Sequence, residues 1–393
     1  MTPSAIDLGE LEVGRGGYLL VKRALETLGV GERLAVVGRS PTLTLDLRAW
    51  CRAEGHRFDA STQAVVRERP DRFASSPRAG DADPSQAGAI SEAPPASWGL
   101  AARGARVEAG GPEFSFPLSK KSAVWADEAA RLYAQAAAAQ WDPATAIDWS
   151  DKPSLPSEIE AAVVQVMTYL IENETAALVV PARFLGQIHP HFREVMQLLA
   201  IQAADEARHI EVFTRRALLV SGELGVSSVG GQASLKTLLD EPDFALSSFL
   251  LSVLGEGSFL SLLWFLRDHA PDVATATVAR LSAQDEARHV AFGLAHLKRH
   301  VELDPALRSR LANAVERRHG ALGASGGLNP EVFDALVLLA AGSWEPDSIA
   351  RGFAAVLELK QAMDEGRQQR LRRLGFSAGE AEALSAQHTL NFM

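Results

Sequence analysis

Two five-residue segments of this chain are identical: Asp205-Glu206-Ala207-Arg208-His209 and Asp285-Glu286-Ala287-Arg288-His289. Their glutamates stand 80 residues apart (286 − 206). Residues i and i+3 share one face of a helix, so Glu206 with His209, and Glu286 with His289, can point together at one ion. Upstream of each copy an apolar stretch carries a further glutamate, in Asn173-Glu174-Thr175 and Gly255-Glu256-Gly257. Those two are 82 residues apart (256 − 174), so the repeat spans whole helix pairs. Carboxylate oxygens with imidazole nitrogens suit a redox metal such as iron or manganese. One glutamate from each of two helices, plus Glu-x-x-His from each of two others, is the donor set of a dinuclear carboxylate site in a four-helix bundle. The expected metal residues are therefore Glu174, Glu206, His209, Glu256, Glu286 and His289.

A single Glu-x-x-His on a helix is ordinarily a solvated pair. Two copies within a repeat, each preceded by a glutamate inside an apolar helix, are not explained that way. Glu256 lies in the middle of the nearly all-apolar run Leu246–Leu266, where an unpartnered carboxylate is costly and a metal is the natural partner. Glu172 competes with Glu174. The apolar stripe Val163, Met167, Leu170, Ala177, Leu178 and the repeat alignment both favour Glu174. A metal-bound histidine usually gives its other N–H to a carboxylate, so Asp285 is expected to orient His209 and Asp205 to orient His289, with Arg208 and Arg288 tying the aspartates down. His189, His191, His296 and His300 read as surface or capping residues.

These residues require long helices, and from Ser122 onward the pattern is helical almost throughout. Helices are expected over Ser122–Trp141, from Ser157 to about Val180, and over about 190–220, 243–268 and 272–301. Ser157 with Glu160, and Ser377 with Glu380, have capping-box spacing. Asp304-Pro305 and Asn329-Pro330 look like helix starts, and Ser221–Glu241 reads as a connection. Residues 1–70 alternate strands (Leu8–Val13, Arg33–Val37, and more within Arg57–Arg67) with helices (Gly17–Leu28, Thr42–Glu54), as in a two-layer α/β sandwich. Residues 71–98, rich in Ala, Ser, Pro and Gly, read as a flexible linker, with a short hairpin expected around Gly110-Gly111. The expected fold is mainly α: a bundle over 99–303 and a helical extension over 304–393.

Of 393 residues, 47% are hydrophobic and 22% charged, ordinary for a globular chain. The formal net charge of −10 gives no basic excess to neutralise a nucleic acid. Cys51 is the only cysteine, which excludes an internal disulfide framework and cysteine-ligated metal sites. Leu246–Leu266 is about long enough to cross a bilayer, but Glu256 argues against it and no second comparable segment stands out. A core helix, no membrane association and a cytoplasmic location are expected.

Residues from about 122 to 300 resemble the ferritin-like di-iron superfamily. Their Asp-Glu-x-Arg-His form is closer to ribonucleotide reductase small subunits, bacterial multicomponent monooxygenases and arylamine N-oxygenases than to storage ferritins. Gln140-Trp141-Asp142-Pro143 and Ile147-Asp148-Trp149 resemble the entry to the ligand-binding oxidases of this superfamily. The resemblance implies that the six residues bind two iron ions, or Mn/Fe, and that dioxygen reacts there. It implies an oxidoreductase, an oxidase or monooxygenase acting on an organic small molecule, with an external electron donor and a homodimer as partners. Phe184, Phe259, Trp264 and Phe265 are candidates for lining its pocket. A ferroxidase or iron-handling protein is the alternative.

Residues 1–70 resemble TusA-type sulfur carriers through Tyr18-Leu19-Leu20-Val21-Lys22-Arg23-Ala24-Leu25, Gly31-Glu32-Arg33-Leu34 and Trp50-Cys51-Arg52-Ala53-Glu54-Gly55-His56. Where those carriers place a persulfide-forming cysteine, this chain has Gly14-Arg15-Gly16-Gly17. Carrier chemistry is expected to be lost and Cys51 to be a buried structural thiol. A sulfur-relay or docking protein is the remaining alternative.

Overall fold

The structure is a computed structural model that describes residues 4–86, 88–220, 222–322 and 329–388. It divides into two compact units, one comprising Met1–Ala89 with Ala101–Glu113, the other Ile90–Leu100 with Phe114–Met393.

The first unit is a four-stranded sheet with two helices. Its elements are β1 (Ser4–Asp7), α1 (Gly17–Glu26), β2 (Arg33–Val37), α2 (Leu43–Glu54), β3 (Arg57–Asp59) and β4 (Ala64–Val66). The sheet order is β1-β2-β4-β3. β1 and β2 are parallel, with Ile6 opposite Val36, and α1 crosses between them. β4 runs antiparallel to both its neighbours, with Val65 opposite Leu34 on one side and Phe58 on the other. The apolar stripes of α1 (Val21, Leu25) and α2 (Leu43, Leu47, Cys51) pack into one core with Leu34, Val36 and Val65. Gly17 opens α1 where the chain folds tightly: a Cβ there would lie 2.9 Å from the Glu12 carbonyl oxygen.

Two expectations fail here. The first strand is Ser4–Asp7 rather than Leu8–Val13, and Val13–Arg15 is a helical turn. Residues 71–89 do not form a free linker. The Ala79 amide donates to the Ala105 carbonyl (2.9 Å) and the Val107 amide to the Pro77 carbonyl (2.9 Å), while Ala79 and Ala89 are buried. The bridge in this region joins Arg78 to Arg106, and no strand pair flanks Gly110-Gly111.

The second unit is helical: α3 (Lys121–Val124), α4 (Ala129–Ala138), α5 (Ser157–Leu185), α6 (Arg193–Leu218), α7 (Val229–Asp240), α8 (Phe244–Ser248), α9 (Gly257–Asp268) and α10 (Val273–Leu303). Then follow α11 (Leu307–Leu322), α12 (Pro330–Ala341), α13 (Pro346–Arg373) and α14 (Ala378–His388). A π-helical segment, Phe249–Glu256, joins α8 to α9. The bundle is formed by α5, α6, the continuous α8–π–α9 run and α10. The C-terminal helices share its core through Leu311, Leu336, Val356 and Leu371.

Several boundaries differ from the pattern for physical reasons. Ser122–Trp141 is broken after Val124: Trp125 turns extended and its Nε1–H donates to Asp127 Oδ1 (2.8 Å), a local side-chain bond that competes with the helix. Residues 221–241 contain α7, capped by Ser228, whose Oγ accepts from the Gly231 amide (3.0 Å). The Ser377/Glu380 capping box forms in both directions. The Ser157/Glu160 box does not, because Glu160 is drawn inward. Both its oxygens accept from Arg216 (2.9 Å each), which also donates to Asp272 and Thr275. Among the described residues two helical runs, not one, are long and apolar enough to cross a membrane, Ser157–Leu185 and Phe244–Asp268. In their most apolar windows 67% and 78% of residues are buried in protein, and each carries a buried glutamate, Glu174 and Glu256.

Arg216 is fully buried. Breaking a buried ion pair from one side leaves uncompensated charge. Arg216→Ala is therefore expected to lose roughly 3–5 kcal/mol, read as a lowered denaturant midpoint. A midpoint within error of wild type would show that the network carries no stability.

Candidate metal centre

Each site residue is positioned by its own helix. Glu174 comes from α5, Glu206 and His209 from α6, Glu256 from the end of the π-helical segment, and Glu286 and His289 from α10. A π turn displaces backbone carbonyls from ordinary helical bonding, and such buried groups need other donors. Arg370 of α13 donates its Nε–H to the Val253 carbonyl (2.6 Å), and Ser258 Oγ donates to the Leu254 carbonyl (2.8 Å). Burial pulls the Arg370 guanidinium down to about 10. Gly257 makes room for it, since a Cβ there would lie 2.3 Å from Arg370 Nε.

The six side chains converge. Glu174, Glu206, His209 and Glu286 form one group with donor atoms all within 4.8 Å of one another, and Glu206, Glu256, Glu286 and His289 form a second. Glu206 and Glu286 belong to both groups and lie between them. None of the six is more than 2% exposed. His209 turns Nδ1 inward, 3.1 Å from Glu206 Oε2 and 3.4 Å from both Glu174 Oε1 and Glu286 Oε1. His289 Nδ1 lies 3.0 Å from Glu206 Oε1 and 3.4 Å from Glu286 Oε2. Inward-facing atoms have no hydrogen-bond partner: Glu174 Oε1, Glu206 Oε1, Glu256 Oε2, both oxygens of Glu286 and His289 Nδ1. Leaving such groups unsatisfied in a core costs free energy for each atom. Two ions sharing Glu206 and Glu286 would satisfy all of them, with oxygen and nitrogen donors of the type iron and manganese take.

The histidines' outer nitrogens meet aspartates across the bundle. His209 Nε2 lies 3.2 Å from Asp285 Oδ2, and His289 Nε2 lies 3.3 Å from Asp205 Oδ2. Arg208 Nη2 donates to Asp205 Oδ1 (2.5 Å) and Asp285 Oδ2 (2.9 Å), and Arg288 donates to Asp285. Two residues outside the repeat complete this layer. Gln140 Nε2 donates to Asp205 Oδ1 and Trp141 Nε1 to Asp285 Oδ2, each at 2.8 Å, while the Arg208 guanidinium stacks 4.6 Å above the Trp141 ring.

The structure thus brings together the six expected metal residues, both aspartates and both arginines. Glu174 points into the cluster, and half-buried Glu172 lines a surface groove with Thr175, Gln232 and Lys236. The repeat did not reveal Gln202, whose Nε2 donates to Glu256 Oε1 (3.1 Å). Its position one turn before Glu206 was the available signal. His189 and His191 are buried; His189 caps the turn at Pro190, its Nδ1 accepting from the His191 amide as the capping reading expects, and His191 Nε2 accepts from the Ser91 amide. His296 is also in the core, against Phe244, and burial lowers it to about 3. Of the four aromatic candidates, Phe184 lines a cavity beside Gln202. Phe259 packs on Tyr169, Trp264 on Arg267, and Phe265 on His269.

No protein-family profile and no curated protein matches the chain. Solved structures do. Two tyrosine-to-phenylalanine variants of R2-like ligand-binding oxidase, with aerobically reconstituted Mn/Fe cofactor, each align with a TM-score of 0.51 at 18% identity. They cover 63% and 64% of this chain, and 94% and 93% of their own. A glycine-to-phenylalanine variant aligns at 0.50 and 19% identity, over 64% of this chain and 97% of its own. The chain shares its fold with the R2-like ligand-binding oxidases. At this identity the likeness is one of fold, and the chemistry rests on the residues.

Electrostatics ties the cluster to protons. Burial, then the charges of Glu206 and Glu286, hold Glu174 well above the usual carboxylate range; burial and Glu286 do the same to Glu256. Burial works against protonating His209 and His289, but their carboxylate neighbours win and hold both well above the ordinary imidazole value. A metal must displace those protons. Divalent-metal affinity is therefore expected to rise from pH 6 to pH 8, with protons released on binding. Calorimetry in buffers of different ionisation enthalpy measures this, and a buffer-independent, pH-independent affinity would contradict it. Glu174→Ala is expected to lose metal while Glu172→Ala keeps it, as measured by metal content after dialysis. The reverse result would exchange their roles.

Proposed function

We propose that Glu174, Glu206, His209, Glu256, Glu286 and His289 hold two iron ions, or one manganese and one iron, and that the protein is an oxidoreductase. Its reaction on this reading is the oxidation or oxygenation of an organic small molecule by dioxygen, with electrons from an external donor. The observation that carries it is the pair of fully buried donor groups sharing Glu206 and Glu286. Support comes from the shared fold with oxidases whose solved structures carry Mn/Fe. The bound pair would supply the electrons that dioxygen takes up.

The chain's own residues would do the rest. Asp285 and Asp205 accept from the histidines' Nε2–H groups, which leaves each Nδ1 free to face an ion. Arg208, Gln140 and Trp141 close over this layer. Near Glu256 the surroundings are apolar instead. A void of about 10 Å³, room for a single water at most, is lined by Val180, Phe184, Leu199 and Leu251, with Gln202 and Ser252 as its polar points.

The first unit is read as a carrier-like fold that has lost carrier chemistry. Cys51 is buried in its core, and burial pushes the thiol up to about 11, whereas a persulfide mechanism needs an accessible thiolate. Gly14 offers no nucleophile in its place.

Purified protein loaded anaerobically with Fe(II) is expected to hold two ions per chain and to consume oxygen while the iron becomes ferric, as seen by absorption spectroscopy. Glu286→Ala is expected to lose both properties. Fewer than two ions in wild type, or full metal retention in Glu286→Ala, would overturn the assignment. Iron accumulating far beyond two per chain would instead indicate iron storage.

A further inference from the structure

The repeat is symmetric in its charged residues but not one turn before them. With the 80-residue offset, Gln202 of α6 corresponds to Ser282 of α10. With the 82-residue offset of the first glutamates, Ser252 corresponds to Leu170. The first difference falls on a carboxylate of the cluster. Gln202 is 2% exposed and donates Nε2–H to Glu256 Oε1 (3.1 Å), and Ser252 is buried four residues before Glu256 on the same helical run. Glu256 Oε2 is left without a partner. On the other side, Ser282 is fully buried and its Oγ makes no hydrogen bond, and Leu170 has no donor to offer.

We infer that Gln202 is a positioning residue that makes the two metal positions inequivalent. It spends one oxygen of Glu256 and fixes the carboxylate so that Oε2 alone faces the ion shared with Glu206, Glu286 and His289. Glu174, at the other position, has no amide donor one turn before its partner ligands. The ion beside Glu256 therefore depends on a hydrogen bond that the ion beside Glu174 does not use. The device would hold the terminal carboxylate to one oxygen. Sequence symmetry alone would predict two equal positions, and the side-chain length of Gln202 against Ser282 is what breaks the equality.

This inference rests on the two-metal reading, and its test separates the two. Anaerobic Mn(II) titration of the full chain, followed by equilibrium dialysis and by electron paramagnetic resonance, reads each ion without turnover. Wild type is expected to bind two Mn(II). Gln202→Met keeps the volume and removes the donor. It is expected to weaken one ion by about tenfold, the lower end of what outer partners of metal ligands contribute, and to leave the other within about twofold. Ser282→Ala is expected to move neither. In a Glu256→Ala background, Gln202→Met is expected to have no further effect on the ion that remains, as a coupled pair requires. Gln202→Leu, which also removes the donor, is expected to weaken the same single ion, and it carries the test should Gln202→Met not fold. Two ions bound by wild type with both weakened equally, or neither weakened, in the variants would overturn the positioning role while leaving the two-metal reading intact. Fewer than two ions bound by wild type would overturn both.

Discussion

Four carboxylates cannot share one dry core unless cations join them. Glu174, Glu206, Glu256 and Glu286 are each at most 2% exposed, and the equally buried Asp205 and Asp285 lie behind the histidines. Counted with Arg208 and Arg288, the ionised cluster carries −6 + 2 = −4 if the histidines are neutral. Two dications bring the sum to zero. Four protons, on Glu174, Glu256, His209 and His289, do the same, and these are the groups held above their ordinary values. Metals and protons are thus alternative solutions to one charge problem, and the rest of the bundle is arranged around it.

That constraint explains features otherwise costly to the fold. The π-helical segment widens the helix at Glu256, and the carbonyls it displaces are taken up by Arg370 and Ser258. α13 therefore supports the site as well as the core, and the C-terminal helices are part of the bundle's machinery. The Glu160–Arg216–Asp272 network joins α5, α6 and the start of α10 at a second point. It ties together three of the elements that deliver donors to the cluster.

What could be read from the sequence was what is local. Glu206 with His209, and Glu286 with His289, obey helix geometry within one turn, and the repeat marked them as a pair of pairs. The α1, β2 and α2 alternation followed from its pattern in the same way, but the strand expected at Leu8–Val13 lies at Ser4–Asp7. What escaped depended on distant partners. Glu160 looked like a capping residue because its real partner, Arg216, lies 56 residues away. The π turn is supported by Arg370, 117 residues beyond the carbonyl it serves. Gln202 acquires meaning only when Glu256, 54 residues on, is beside it. Residues 71–89 have linker composition, yet their backbone amides and carbonyls find partners near Ala105 and Val107.

The two faces of the cluster differ in kind, and the difference orders the chemistry. Behind the histidines lies a polar layer in which Asp205, Asp285, Arg208, Gln140 and Trp141 satisfy one another. An organic molecule entering there would have to break charge-assisted hydrogen bonds, which are among the strongest available in a core. Around Gln202, which holds Glu256, lie Phe184, Leu199 and Leu251, enclosing a void of about 10 Å³. Widening that void breaks apolar contacts but no ion pair. On the oxidase reading, therefore, opening toward a substrate costs less on the side where Glu256 is held by a neutral amide, and the histidine side remains a fixed wall.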